Sequence, residues 1–192
     1  MKKLFVIALA ALATLTASAQ TLGKVNFNEL VMLMPEMDAA RETIAASQKE
    51  AEETYSAMVE EYQGKATQYQ QKQASWTAAI RESKEKELYD IQNRIQEFQN
   101  NISQELQQQQ AQLTAPIQEK ASKAVNELAK AKGITVLFDA SQALYFDDSK
   151  VIDITADARK ALNIPAGRTL ESLQAELQAQ AQAAQNAAAP AK

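Results

Sequence analysis

From residue 36 to residue 132 the chain contains a single glycine, Gly64, and a single proline, Pro116. Turns depend on these two residue types, so a stretch this poor in them favours long, continuous helices. Apolar and aromatic side chains recur along it at helical spacing. We therefore interpret this stretch, about half of the 192 residues, as a helical arm rather than as a globular core.

The first half of the arm carries two sets of side chains that repeat every seven residues. The sets are offset by four residues, which is the spacing of the a and d positions of a coiled coil. Such a stripe predicts that the helix packs along a partner helix. The aromatic set is Tyr55, Tyr62, Tyr69 and Trp76, and the aliphatic set is Ile44, Ala51 and Met58.

The second half of the arm predicts a return helix, because its apolar residues recur at steps of three and four. Between the two helices the stripe loses its regularity over residues 71–80, where we place the tip of a helical hairpin. Pro116 is expected to kink the return helix, and Gly133 is expected to end it. The apolar positions of the return helix include Leu88, Ile91, Ile95, Phe98, Ile102 and Leu106.

Short strand-like segments lie on either side of the arm. Residues 22–27 alternate apolar and polar side chains, and residues 134–138 are rich in β-branched and aromatic types. Residues 143–146 predict a further strand. Thr155 then predicts the N-cap of a short helix that ends near residue 162.

These segments together predict an α+β fold, in which a long helical hairpin is inserted in a small β-sheet body. The body takes residues 20–34 and 133–164, and the arm takes residues 35–132. Residues 165–192 form a tail dominated by Ala and Gln, expected to be a marginal helix or disordered because it can bury little apolar surface. Short strands leave unpaired edges, so the body is expected to self-associate.

The first nineteen residues predict an export signal. Lys2 and Lys3 form a positive region, residues 4–16 are apolar, and Ala17-Ser18-Ala19 is a small-x-small cleavage site. Cleavage after Ala19 would leave a soluble, exported protein in the periplasm. The alternative is a retained membrane anchor, but the apolar run falls short of the roughly 20 residues that span a bilayer.

The composition argues against several classes of function. The chain has no histidine and no cysteine, so the commonest general base, the commonest metal ligand and disulfide bridges are all missing. The formal net charge is −4, and it becomes −6 without Lys2 and Lys3, which disfavours binding to nucleic acid. We expect no enzymatic activity and no cofactor, because no convergent set of catalytic residues and no phosphate-binding glycine loop is visible.

Two groups of carboxylates allow an alternative interpretation. Asp147 and Asp148 are adjacent and could bind calcium, but further spaced oxygen ligands are missing, so a turn is favoured. Asp153 and Asp157 could form an acid/base pair. With Thr155 between them, they are more typical of the start of a helix.

Five short motifs resemble the OmpH/Skp family of periplasmic chaperones, over about residues 22–164. The block formed by the second, third and fourth motifs is the most specific of them. The first motif is Lys24-Val25-Asn26-Phe27-Asn28-Glu29-Leu30, and the second, third and fourth are Val136-Leu137-Phe138-Asp139-Ala140, Ala143-Leu144-Tyr145 and Asp153-Ile154-Thr155-Ala156-Asp157. The fifth, Leu113-Thr114-Ala115-Pro116-Ile117, lies earlier in the chain, in the arm.

This resemblance implies a trimer shaped like a jellyfish. Strands from three chains would form the body, and three hairpins would enclose a cavity that holds unfolded outer-membrane proteins without using nucleotide. The best-known members of that family have basic arms, whereas residues 36–132 here carry 12 Lys/Arg against 16 Asp/Glu. A lipopolysaccharide site is therefore not carried over. Weak contact with a membrane surface stays an open alternative, which the acidic arms disfavour.

The arm and the body each supply candidate functional residues. Apolar arm side chains could contact clients, or they could pack the seam between the two legs, which is the favoured interpretation for most of them. Side chains of the strand-like segments and of the first helix would hold the trimer together. The client-contact candidates are Met58, Tyr62, Tyr69, Trp76, Ile91 and Phe98, and the trimerisation candidates are Val25, Phe27, Leu30, Val136, Phe138 and Leu144.

Two hypotheses from different classes follow. The first is an ATP-independent holdase, in which many weak apolar contacts keep a client unfolded but soluble. The second is a structural or adaptor protein of the cell envelope that uses the arm as a coiled-coil spacer and binds one folded partner.

Overall fold

The computed structural model describes residues 20–188, with side chains described up to residue 184. The predicted export signal lies outside the described residues. Within these residues, three short strands and five α-helices follow one another. They are β1 (Leu22–Val25), α1 (Phe27–Leu33), α2 (Pro35–Lys72), α3 (Ala78–Ala131), β2 (Val136–Asp139), β3 (Val151–Asp153), α4 (Thr155–Ala161) and α5 (Leu170–Ala188).

The chain divides into two compact units. The body contains the described residues up to Met34 and from Glu119 onward, and the arm is Pro35–Gln118. The return helix α3 contributes to both units. The sequence-based division assigned all of it to the arm, whereas the structure groups its last turns, from Glu119, with the strands and small helices.

The three strands form one parallel sheet with β1 in the centre, between β2 and β3. Leu22 pairs with Val136 on one side and with Val151 on the other. The strand predicted at residues 143–146 is wrong, because this segment has no strand pairing, and the third strand is Val151–Asp153. Phe146 packs its ring against Phe138 instead, at 5.4 Å between ring centres.

The central strand approaches its neighbours closely at Gly23. A Cβ atom at this position would lie 2.6 Å from Cδ1 of Ile134 and 3.1 Å from Cδ1 of Leu137. Real side chains essentially never approach so closely, so glycine is required here for packing rather than for an unusual backbone angle. The buried face of the sheet therefore depends on the absence of a side chain in its middle strand.

Helices α1, α4 and α5 complete the core of the body. Apolar residues of α1 face inward, and α1 contacts both α4 and α5. The tail is helical from Leu170, and its Leu173 is buried, so this part of the tail buries more apolar surface than its composition predicts. The largest fully buried side chains of the chain all belong to the body, and they are Leu30, Leu33, Met34, Ile154 and Leu162.

Two helices of the body end with the chain in the left-handed conformation. Gly133 has φ of +66°, and the N–H groups of Gly133 and Ile134 bond to the carbonyls of Lys130 and Ala129. The same pair of bonds follows α4, where Asn163 takes φ of 55°. Gly133 thus ends the return helix in the way that the sequence predicts.

The start of α4 differs from the prediction. Thr155 is the first helical residue rather than the N-cap. The carboxylate of Asp153 accepts a 2.8 Å hydrogen bond from the Thr155 N–H, and the Thr155 hydroxyl accepts one from the N–H of Asn26. A carboxylate satisfies a free N–H at a helix start as well as a hydroxyl does, so the capping role passed to Asp153.

The arm is a pair of antiparallel helices joined at residues 73–77. Helix α2 begins at Pro35. A short 3₁₀ turn, Gln73–Ser75, followed by Trp76 and Thr77, connects it to α3. Polar side chains connect the legs, and residue numbers fall in one leg as they rise in the other. The pairs are Lys65 with Glu87, Glu61 with Arg94, Tyr55 with Gln99 and Ser47 with Gln109.

Pro116 lies inside α3 and does not end that helix. Among the described residues, no helix combines the length and apolar character needed to cross a membrane.

Candidate functional site

The apolar stripe of the arm lies along the seam between the two legs, but it is only half buried. Ile91 is buried, with 3% of its surface exposed, and Ile117 is buried closer to the body end of the return helix. Two helices side by side cover each seam residue from one direction only, so these side chains support the hairpin and also remain partly accessible. The half-buried seam residues include Ile44, Tyr55, Met58, Tyr62, Leu88, Ile95, Phe98, Ile102 and Leu106.

The six client-contact candidates therefore differ in what they offer to a partner. Met58, Tyr62 and Phe98 are half-buried in the seam, whereas Ile91 is covered by its own hairpin. Tyr69 and Trp76 lie at the tip and contact each other edge to face, at 5.9 Å between ring centres. Both rings stay partly exposed, so the tip presents an aromatic pair rather than an isolated tryptophan.

Charged side chains hold the two legs together near the tip. The Tyr69 hydroxyl donates to Glu85, and this hydrogen bond raises the pKa of the tyrosine. Glu87 accepts hydrogen bonds from Lys65 on the other leg and from Lys84 on its own leg, which lower its pKa to about 2. All of these groups are at least partly exposed, so they fix the register of the legs more than they stabilise them.

The body leaves apolar side chains exposed around its sheet. Leu144 is fully exposed at 106%, Tyr145 at 86% and Val136 at 47%, and Ile152 on the other edge strand is also exposed. Val136 and Ile152 lie on the two edge strands, and exposed apolar side chains there are typical of a surface that another chain covers. Tyr145 and Ile152 were not among the residues proposed from the sequence. Both lie in short apolar segments, and this pattern could have identified them.

The trimerisation candidates fall into three groups. Val25 and Leu30 are buried in the core of their own chain. Phe27 and Phe138 are half-buried. Val136 and Leu144 are exposed, so these two are the candidates that another chain can reach directly.

Lys24 connects the central strand to the segment before β3. Its amine donates a 2.5 Å hydrogen bond to Asp148, lies 3.5 Å from Asp153 and sits 4.8 Å from the centre of the Phe146 ring. The hydrogen bond to Asp148 raises the pKa of Lys24. One lysine thereby sets the position of the segment that carries Leu144 and Tyr145.

The acidic residues of the body have structural partners. The Asp147 carboxylate accepts hydrogen bonds from the hydroxyl and N–H of Ser149, which lower its pKa. Asp157 pairs with Lys132 at 2.8 Å, and that contact lowers its pKa in the same way. Within the described part of the chain, no group of three or more potential metal-binding residues is found. The bonds of Asp147 to Ser149 are those of a turn, and the bond of Asp153 to the Thr155 N–H is that of a helix start.

One protein family matches the part of the chain that contains the strands, the hairpin and α4. A family model described as "Outer membrane protein (OmpH-like)" matches residues 21–162, which include all three strands, the whole hairpin and α4. The chain belongs to the OmpH-like family. At family level this membership supports a periplasmic chaperone related to outer-membrane proteins. No curated protein matches this OmpH-like chain, and its helix α5 lies beyond the matched residues.

Proposed function

We propose that this OmpH-like protein is an ATP-independent holdase of the periplasm that binds unfolded outer-membrane proteins and prevents their aggregation. It would act as an exported homotrimer, without catalysis, in a cavity between three helical arms. The observation that carries the proposal is the half-buried apolar seam of the arm. It offers many weak, adaptable contacts along two helices of 38 and 54 residues.

The exposed sheet edges support a trimer. β2 and β3 each have one unpaired edge in a three-stranded sheet, and Val136 and Ile152 are exposed on these strands. Leu144, in the segment before β3, is exposed as well. A second and a third copy would satisfy the strand edges and cover these side chains. Three arms brought together in this way would raise affinity through avidity, because each weak contact increases the local concentration of the next.

An aggregation assay tests the holding function. An unfolded outer-membrane barrel protein is diluted from denaturant, and light scattering is followed with and without the purified, full-length mature protein. We expect suppression of scattering at about one trimer per client, with no added nucleotide. If scattering is unchanged at this ratio, the holdase proposal is wrong.

The adaptor alternative predicts a different result in the same experiment. A spacer that binds one folded partner would leave the aggregation of unfolded barrels unchanged and would retain a single envelope protein in a pull-down. The half-exposed apolar seam favours the holdase, since a folded partner requires one complementary patch rather than a long accessible stripe.

A further inference from the structure

The seam of the arm is open around Ala51. A cleft of about 520 Å³ lies between the legs here, and a second cleft of about 360 Å³ adjoins it. Both clefts share Ala51, Phe98, Ile102 and Leu106. Because alanine occupies a position where the neighbouring heptads have isoleucine and methionine, the legs leave space that a larger side chain would fill.

The wall of the larger cleft is polar. Gln108, Gln109 and Gln112 line it, and Gln109 also donates a 2.9 Å hydrogen bond to Ser47 on the opposite leg. A primary amide both donates and accepts hydrogen bonds. Glutamines can therefore bond to the N–H and C=O groups of any extended polypeptide, whatever its sequence.

The rim of the clefts is acidic. Glu50 and Glu105 line the larger cleft, and Glu52 lines the smaller one. Among the described residues, none of the three takes part in an ion pair, whereas the nearby Lys49 is 3.7 Å from Glu53. These carboxylates are thus available to a cationic partner.

The charge of the arm is concentrated at this level. Residues 42–60 and 95–118 contain seven glutamates and one lysine, a net charge of −6. Residues 61–94, toward the tip, contain six basic and five acidic residues, a net charge of +1. The acidic character of the arm is therefore a local feature of the segment that surrounds the clefts.

We propose that the Ala51 clefts bind segments of unfolded polypeptide in which apolar or aromatic side chains are flanked by Lys or Arg. The apolar side chain would rest on Ala51, Phe98 and Ile102, the glutamines would bond to the backbone, and Glu50 and Glu105 would pair with the flanking cations. Charge complementarity selects this occupant over an acidic one. The inference rests on the proposed holding function and names the kind of client segment that the arm prefers.

Two matched pairs of variants test the site in the full-length mature protein. Ala51→Leu fills the cleft, and Ala57→Leu adds the same side chain at an exposed position of the same helix that lines neither cleft. Glu50→Gln with Glu105→Gln removes two rim charges, and Glu60→Gln with Glu97→Gln removes two charges from the same region outside both clefts. Because the glutamine variants keep side-chain size, they test the site even if Ala51→Leu perturbs the hairpin.

The probes are two unstructured, fluorescently labelled peptides that share the same Leu and Tyr residues and differ only in carrying Arg or Asp between them. Binding is measured by fluorescence anisotropy. We expect the Arg peptide to bind about tenfold more tightly than the Asp peptide at low salt, and the preference to shrink at about 150 mM salt, where the screening length is about 8 Å. Both cleft variants should weaken binding of the Arg peptide several-fold more than their control variants do.

Equal binding of the two peptides would overturn the inference, and so would equal effects of the cleft and control variants. The aggregation assay separates this failure from failure of the holdase proposal. If the protein suppresses aggregation of the barrel but shows no preference for the Arg peptide, only the cleft inference is wrong. If it does not suppress aggregation, the holding function itself is wrong.

Discussion

The amine of Lys24, in the central strand of the sheet, donates a 2.5 Å hydrogen bond to the carboxylate of Asp148, in the turn before β3. This bond crosses from the middle of the sheet to a segment that forms no strand pairs of its own. The exposed Leu144 and Tyr145 precede Asp148 in the same segment. A surface ion pair of this kind contributes little to the stability of the fold.

Replacement of Lys24 should loosen this segment without unfolding the body. In Lys24→Met, Asp148 remains solvated because it is mostly exposed, so no charge is left buried. We expect faster hydrogen exchange at residues 143–150, with little change in the exchange of β1. Lys150→Met, which removes an exposed lysine from the same segment, is the control, and equal exchange in the two variants would contradict the role of Lys24.

The same contact predicts a dependence on alkaline pH. The hydrogen bond to Asp148 raises the pKa of Lys24 in the folded chain, so the contribution of the contact is complete below the ordinary lysine pKa. It is lost as the pH rises through the raised value. Exchange of residues 143–150 should therefore approach that of Lys24→Met only at strongly alkaline pH.

Glu87 predicts sensitivity of the arm to acid. Its pKa is lowered to about 2 by Lys65 and then by Lys84, so its contribution is present above the ordinary glutamate pKa and is lost as the pH falls toward about 2. An NMR titration of the Glu87 carboxyl carbon should show the low pKa directly. In Lys65→Met that pKa should move back toward the ordinary value; an unchanged titration would show that the cross-leg contact is absent in solution.

Two glycines should respond in opposite directions to the same change. Gly23→Ala places a Cβ atom 2.6 Å from Ile134, and overpacking of this kind costs about 1–3 kcal/mol of unfolding free energy. Gly64→Ala lies in a helix with nothing within 4 Å of the new Cβ atom, and should stabilise the arm by about 1 kcal/mol. Urea unfolding followed by circular dichroism measures both changes, and a neutral Gly23→Ala would contradict the close packing of β1.

An aspartate in the buried core and one on the exposed surface should separate folding from assembly. Val25→Asp buries an unpaired charge in the core, so we expect the body to unfold. Leu144→Asp changes a fully exposed side chain, so we expect a folded chain whose trimer dissociates, as measured by sedimentation velocity. Leu177→Asp, at another exposed leucine in the tail helix, is the control; retention of the trimer mass in Leu144→Asp would contradict assembly through this edge.

The structure also shows why some local predictions succeeded and others did not. The end of α3 at Gly133 follows from backbone chemistry that acts within a few residues. The segment 143–146 has strand-forming residues, but Phe146 packs on Phe138, 8 positions away in the chain, instead of pairing in the sheet. Thr155 does not cap α4 for a similar reason: its hydroxyl accepts a hydrogen bond from the N–H of the distant Asn26, and Asp153 bonds to the helix start instead.

The sequence likewise predicted one part of the candidate site and not the other. Heptad spacing identified the seam residues, since helical periodicity depends only on positions along one helix. Periodicity could not show that Ile91 is buried while Met58 and Phe98 stay half-exposed, because burial depends on how closely two distant helices approach. The open space around Ala51 has the same origin.

The sequence was sufficient for the helical arm, its two legs, the flanking strands and the family resemblance. Helical periodicity, strand-like alternation and the short family motifs are all patterns among residues close together in the chain. The parallel order of the strands, the contact of Gly23 with Ile134, the Lys24–Asp148 bond and the clefts beside Ala51 required the folded chain. Each of them joins segments that are distant in sequence, and their distances are set by the packing of the whole unit rather than by local preference.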